Sequence, residues 1–157
     1  MEKSELALSG LSIIYSDCFD IEKDVNIILS ELNDYDWKKA SYKDTVKDFS
    51  SFTARLWKVH PFREGNTRTI ITFCNQFIES RGYNIDSTLL ADNSSYVRTA
   101  LVAANAIFED LGDKRKPEYL ERIIGDALKP KELTDSKENL ILKKLNKKSN
   151  EDKKTGE

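Results

Sequence analysis

The chain has 157 residues, enough for one domain and too few for two separate cores. A 39% hydrophobic share with fifteen aromatic residues is a folding composition and excludes a wholly disordered chain. The net charge of −2 excludes a generally basic nucleic-acid or membrane-binding surface, and no stretch approaches the 18 apolar residues of a membrane span.

The total hides an asymmetry. Residues 143–157 carry six Lys against three acids, net +3, which leaves −5 for residues 1–142. Such a basic end reads first as solvated tail. Cys18 and Cys74 stand 56 residues apart, with neither metal spacing nor a disulfide framework, and Cys74 reads as a small core residue. The N-terminus lacks a basic start and a long apolar run, so the expected location is cytoplasmic.

The elements follow in chain order, and most are helical. Residues 10–19 are the exception: Leu11, Ile13, Ile14, Tyr15 and Phe19 around Ser16-Asp17 predict two short extended pieces about a turn. Asp20 offers an N-cap to a helix whose stripe is Ile21, Val25, Ile28, Leu29 and Leu32, ending at Asn33-Asp34. A second helix starts near Ser41, carries Val46, Phe49, Thr53, Leu56 and Val59, and must stop before Pro61. A third opens at Asn66 or Thr67, with Ile70, Phe73, Cys74, Phe77 and Ile78 inward, and closes at Gly82.

After a loop at 83–93, Ser94 or Ser95 caps a helix whose apolar positions run from Tyr96 to Leu111, with Gly112 as terminator. Pro117 starts a further helix with Leu120, Ile123, Ile124, Ala127 and Leu128 inward. Pro130 breaks the chain. A weaker helix from about 134 to 146 follows, and residues 147–157 read as a disordered basic tail.

One stretch carries chemistry: His60-Pro-Phe-Arg-Glu-Gly-Asn-Thr-Arg68, between two apolar helices. The unpaired N–H groups of a helix start, with the helix dipole, make an anion site. Gly65 permits close backbone approach, and Arg68 adds a planar fork for phosphate oxygens. Glu64 beside such a site would repel bare phosphate, which points to a bridging Mg²⁺. His60, the chain's single histidine, stands where a general base on an incoming hydroxyl is needed. Taken singly, each residue has a bland alternative: a capping histidine, a dipole-serving glutamate, a turn at Gly65-Asn66, a surface arginine. Nine consecutive residues holding all of them favour the joint reading. Phe62 is expected to be a core anchor that pins the loop.

This segment resembles the signature of the Fic (filamentation induced by cAMP) family, H-x-F-x-[D/E]-G-N-x-R, at every fixed position. The resemblance covers roughly residues 8–128. It implies an all-α fold, a Fic-type helical core over residues 1–128 with a short β-hairpin flap at about 10–19 that docks a target segment. It also implies transfer of AMP from ATP to a Ser, Thr or Tyr hydroxyl of a target protein. On that footing His60 would be the base, and Glu64 would hold the Mg²⁺. Gly65, Asn66 and Thr67 would cradle phosphate through backbone and amide groups, and Arg68 would bind the β-phosphate.

Two departures stand out. The fuller family pattern adds a second Arg that contacts the γ-phosphate, and Ile71 occupies its position. The related Doc kinases also lack that Arg and transfer the γ-phosphoryl group, but they usually carry Ala where this chain has Gly65. A Doc-like phosphotransferase therefore stands as an alternative to AMP transfer, and a degenerate nucleotide- or target-binding module as another. Little sequence also precedes the expected flap. Tyr96 and Asn105 are candidates for the adenine pocket. Finally, Thr134-Asp-Ser-Lys-Glu138-Asn139 matches the family's inhibitory motif, [S/T]-x-x-x-E-[G/N], which makes Glu138 a candidate inhibitory residue within the 129–146 segment. A separate antitoxin-like inhibitory protein is the other implied partner.

Overall fold

The computed structural model describes residues 13–129. Its elements are α1 (Ile21–Asp34), α2 (Tyr42–Val59), α3 (Asn66–Ser80), β1 (Asn84–Ile85), α4 (Ser87–Asp92), α5 (Ser94–Ala104), β2 (Ile107–Phe108), β3 (Gly112–Asp113), α6 (Glu118–Ala127) and β4 (Leu128–Lys129). The fold is helical, with two minimal strand pairs. α2 is the hub, packed against α1, α3, α5 and α6.

The first three helices fall where their stripes predict, except that Phe73, expected inward on α3, is exposed. At α2 the Ser41 hydroxyl accepts from Asp44 N at 3.1 Å and donates to the Asp44 carboxylate at 2.6 Å, a cap worth about 1 kcal/mol. Asp20 makes no such bond: α1 begins after it, but its side chain caps nothing. The central face of α2 buries Phe49, Leu56 and Trp57 against Leu32, Ile78, Leu101, Leu120 and Ile124. Each such large side chain taken from water contributes about 1.5–3 kcal/mol.

The extended pair expected at 10–19 has a different form. Residues 13–17 carry no strand pairing, 18–20 form a turn, and 10–12 lie outside the described residues. Tyr15 and buried Ile13 are held instead by packing on the core.

The expected loop at 83–93 contains β1 and the short α4. Asp86 accepts from Leu89 N at 3.0 Å, Leu90 is buried, and β1 pairs antiparallel with β4, Ile85 opposite Leu128. This joins the end of α6 to the start of α4.

The helix expected to run to Leu111 ends at Ala104. Buried Asn105 donates its amide to Leu101 O and to Ala54 O, both at 3.0 Å, and so ties the end of α5 to α2. The chain then doubles back as a β2–β3 hairpin, with Gly112 at φ +73. Ile107, Phe108 and Leu111 keep helical spacing in sequence, yet Ile107 and Leu111 are exposed. A buried side-chain amide competing for helix-end carbonyls outweighed the apolar period. α6 starts directly after Pro117, as expected. The predicted 134–146 helix, Glu138 and the basic tail lie outside the described residues.

Candidate active site

α2 ends at His60, which takes the left-handed conformation (φ 54, ψ 54) and donates its N–H to Trp57 O at 3.1 Å. It is the one non-glycine residue with positive φ among the described residues. Pro61 disfavours the right-handed helical region for the residue before it, so the chain leaves α2 through this cap. A non-glycine in this region costs on the order of 1–2 kcal/mol, and such strain often marks a functional position.

The loop that follows is closed by one side chain. Asn66 Oδ1 accepts from Phe62 N at 2.9 Å, and its Nδ2 donates to Phe62 O at 2.5 Å. The amide of Asn66 therefore closes the loop with one N–H and one oxygen lone pair, while its backbone N–H lies in the first turn of α3. Phe62 pins the loop through its backbone rather than as a core anchor, since its side chain is 47% exposed. Thr67 likewise turns its hydroxyl inward, accepting from the Trp57 indole N–H at 3.0 Å.

Gly65 is the N-cap of α3, at φ 74 and ψ 16. An added Cβ would meet only Arg68 Nη2 at 3.9 Å, so the backbone angle, not space, calls for glycine. The first in-helix bond of α3 runs from Thr69 N to Gly65 O at 3.0 Å. The N–H groups before it, on Asn66, Thr67 and Arg68, have no preceding turn to bond. The first turn of α3 carries no acid and the N-cap offers no side-chain acceptor, so nothing within it offsets the positive end of the dipole.

His60, Glu64, Gly65, Asn66, Thr67 and Arg68 all line one cleft of about 1020 Å³. The six predicted residues are thus brought together, with Glu64 and Arg68 exposed at its mouth. The floor continues along α3 through Ile71, Thr72, Asn75, Gln76 and Glu79. The opposite wall comes from Ser87, Thr88, Ser94, Ser95 and Arg98 of α4 and α5. That wall was missed from the sequence, because it lies on a short helix read as loop and on the polar face of α5. The α3 floor was legible: positions 68, 71, 72, 75, 76 and 79 repeat at helical spacing opposite the apolar stripe. Tyr96 and Asn105 do not line the cleft. Tyr96 donates to Tyr119 O at 3.3 Å, and Asn105 is consumed at the end of α5.

Among the described residues no three or more acidic, His or Cys side chains gather as a metal site. A Mg²⁺ here would take most of its oxygen ligands from phosphates and water, with Glu64 as the protein's carboxylate. An exposed carboxylate beside an uncapped helix N-terminus fits that arrangement.

The described residues form a helical domain that brings a histidine and the uncapped start of a helix onto one cleft. Residues 2–78, just under half of the chain, match the Fic/DOC family model. A 72-residue stretch, 45% of the chain, is 35% identical to a protein of Sinorhizobium fredii named a probable protein adenylyltransferase, y4lH. The match spans 38% of that relative's length. Among solved structures, the chain resembles the BepC effector of Bartonella tribocorum with bound AMPPNP at TM-score 0.64 and 19% identity, covering 78% of this chain and 54% of that one. It also resembles the N-terminal Fic domain of a VirB-translocated Bep effector of Bartonella quintana at TM-score 0.63 and 19% identity, over 88% and 59% of the two chains. These two likenesses support the fold. Among the described residues no helix is long and apolar enough to cross a membrane.

Proposed function

We propose that this chain is a protein adenylyltransferase, moving AMP from ATP to a Ser, Thr or Tyr hydroxyl of a target protein in the cytoplasm. The observation that carries the proposal is the convergence of His60, Glu64, the uncapped start of α3 and Arg68 on one cleft. The relative named as an adenylyltransferase supports the same reaction class.

In this reaction His60 takes the proton of the target hydroxyl. The hydroxyl oxygen then forms a bond to the α-phosphorus as the bond from that phosphorus to the bridging oxygen breaks, and pyrophosphate departs. The backbone N–H groups of 65–67 and the Arg68 guanidinium receive phosphate charge. The chain's part is mostly placement and preorganised charge. Mg²⁺, held by Glu64, would supply further neutralisation of the phosphates.

Ile71 lines the cleft one turn beyond Arg68 and offers no charge there, which keeps γ-phosphoryl transfer as the second reading. Incubation with α-labelled and γ-labelled ATP in parallel separates them: label on protein from α-labelled ATP alone supports AMP transfer. Label from the γ-position alone establishes phosphorylation, and label from neither leaves a binding module.

Glu138 is proposed as a weak intramolecular inhibitor, because the cleft presents Ile71 where an arginine partner would stand. Glu138→Gly should raise self-modification only a few-fold. No change would leave inhibition to a separate antitoxin-like protein.

A further inference from the structure

Ile13 is 4% exposed and Ile14 is 62% exposed, the alternation of extended chain, so Tyr15 turns back toward the body of the domain. Its ring lies over the His60 imidazole, centroids 4.0 Å apart and planes 32° from parallel. The same Tyr15 ring meets Trp57 at 5.7 Å and 69°, and Trp57 meets His60 edge to face at 6.0 Å and 88°. The imidazole thus sits in an aromatic corner. One wall comes from the segment before α1 and the other from the last turn of α2, and the second wall is bonded through Thr67 to the start of α3.

We propose that Tyr15 is a positioning residue for the His60 base. The backbone at His60 is fixed by the left-handed cap, but a cap does not fix the ring. The imidazole can still turn about its side-chain torsions, and its torsion to the ring is broad. Tyr15 closes one face and Trp57 one edge, which leaves a narrow range of ring orientations. A base turned away from the hydroxyl is as inactive as an absent one, and small misplacements can cost up to about 100-fold in rate. The contact also ties the chain before α1 to the chemistry, across 45 residues of sequence that no local pattern connects.

This inference rests on His60 being the base, so one of its tests does not use activity. The chain holds one histidine, and its ring-proton resonances are therefore unambiguous. A Tyr15 ring over the imidazole displaces those resonances upfield. Tyr15→Phe should keep the displacement and Tyr15→Ala should abolish it. In label transfer, Tyr15→Ala should lower kcat about tenfold with KM for ATP within about twofold, and Tyr15→Phe should restore kcat. Thermal melts of both variants serve as the folding control. Imidazole resonances unmoved in Tyr15→Ala, a loss carried by KM alone, or failure of Phe to restore kcat would each overturn the proposal. Full activity in a His60 variant would instead sink the base reading, while the resonance test of the stack would stand.

Discussion

The two ends of α2 use polar groups for opposite purposes. At the N-terminal end they are paired inside the protein. Tyr83 donates to Trp37 O at 2.6 Å and so accepts from Thr45 Oγ1 at 3.1 Å, while Trp37 donates to Leu32 O at 2.9 Å. Tyr42 reaches Gly125 O at 2.7 Å and Leu128 O at 3.0 Å. At the C-terminal end, Trp57, Asn66 and Thr67 are paired to shape the loop, and His60, Glu64 and Arg68 face the cleft. Buried polar groups hold structure when satisfied. Those turned to a cleft beside a strained backbone are candidates for a functional role.

Substitutions at the two ends should therefore separate activity from stability. The largest effect is expected at His60. His60→Asn keeps a residue that tolerates the left-handed conformation, so label transfer should fall 10²–10⁴-fold while the melting temperature stays near native. His60→Ala should lose the same activity and in addition melt lower, because alanine suits that backbone less well. Transfer retained in both, with lowered stability, would make His60 a packing residue.

At the other end, Tyr83→Phe leaves buried Thr45 Oγ1 and the Trp37 carbonyl without their phenol partner. It should cost about 1–3 kcal/mol of stability, read from denaturant midpoints, with kcat unchanged. A kcat loss of the size seen at His60 would erase the division between the two ends.

The smallest effect is expected far from both ends. In the β2–β3 hairpin, Arg115 hydrogen-bonds Asp113 and holds its carboxyl down to about 2. A lowered carboxyl stabilises the fold above its unfolded pKa and loses that contribution as pH falls through the folded value. Because the pair is exposed, solvent screening keeps the contribution small. Arg115→Ala should return Asp113 toward about 4 in an NMR titration, with little change in melting temperature at neutral pH. An unmoved Asp113 would mean that the shift has another source.

Much of this was legible in sequence. The stripes gave α1, α2, α3 and α6, and the nine-residue signature gave every residue of the motif loop. What the signature could not convey was the division of labour within it. Asn66 is a fixed letter of the signature and Thr67 fills the variable position beside it, yet their side chains bond to Phe62 and Trp57. Only three-dimensional pairing separates a group that shapes a loop from one that contacts a ligand. The end of α5 escaped for a related reason, since Asn105 bonds to Ala54, 51 residues away. The Tyr15–His60 stack is likewise a long-range contact that periodicity does not encode.

If the nucleotide's phosphates bind at the start of α3, as proposed, titration of the ¹⁵N-labelled protein with Mg²⁺ and a non-hydrolysable ATP analogue should show it in the backbone amide shifts. The largest shifts should fall on Gly65, Asn66, Thr67 and Arg68, and they should weaken when Glu64→Ala removes the metal's carboxylate. Saturable binding that leaves the amides of 65–68 unmoved, with shifts clustered elsewhere, would place the nucleotide at another site.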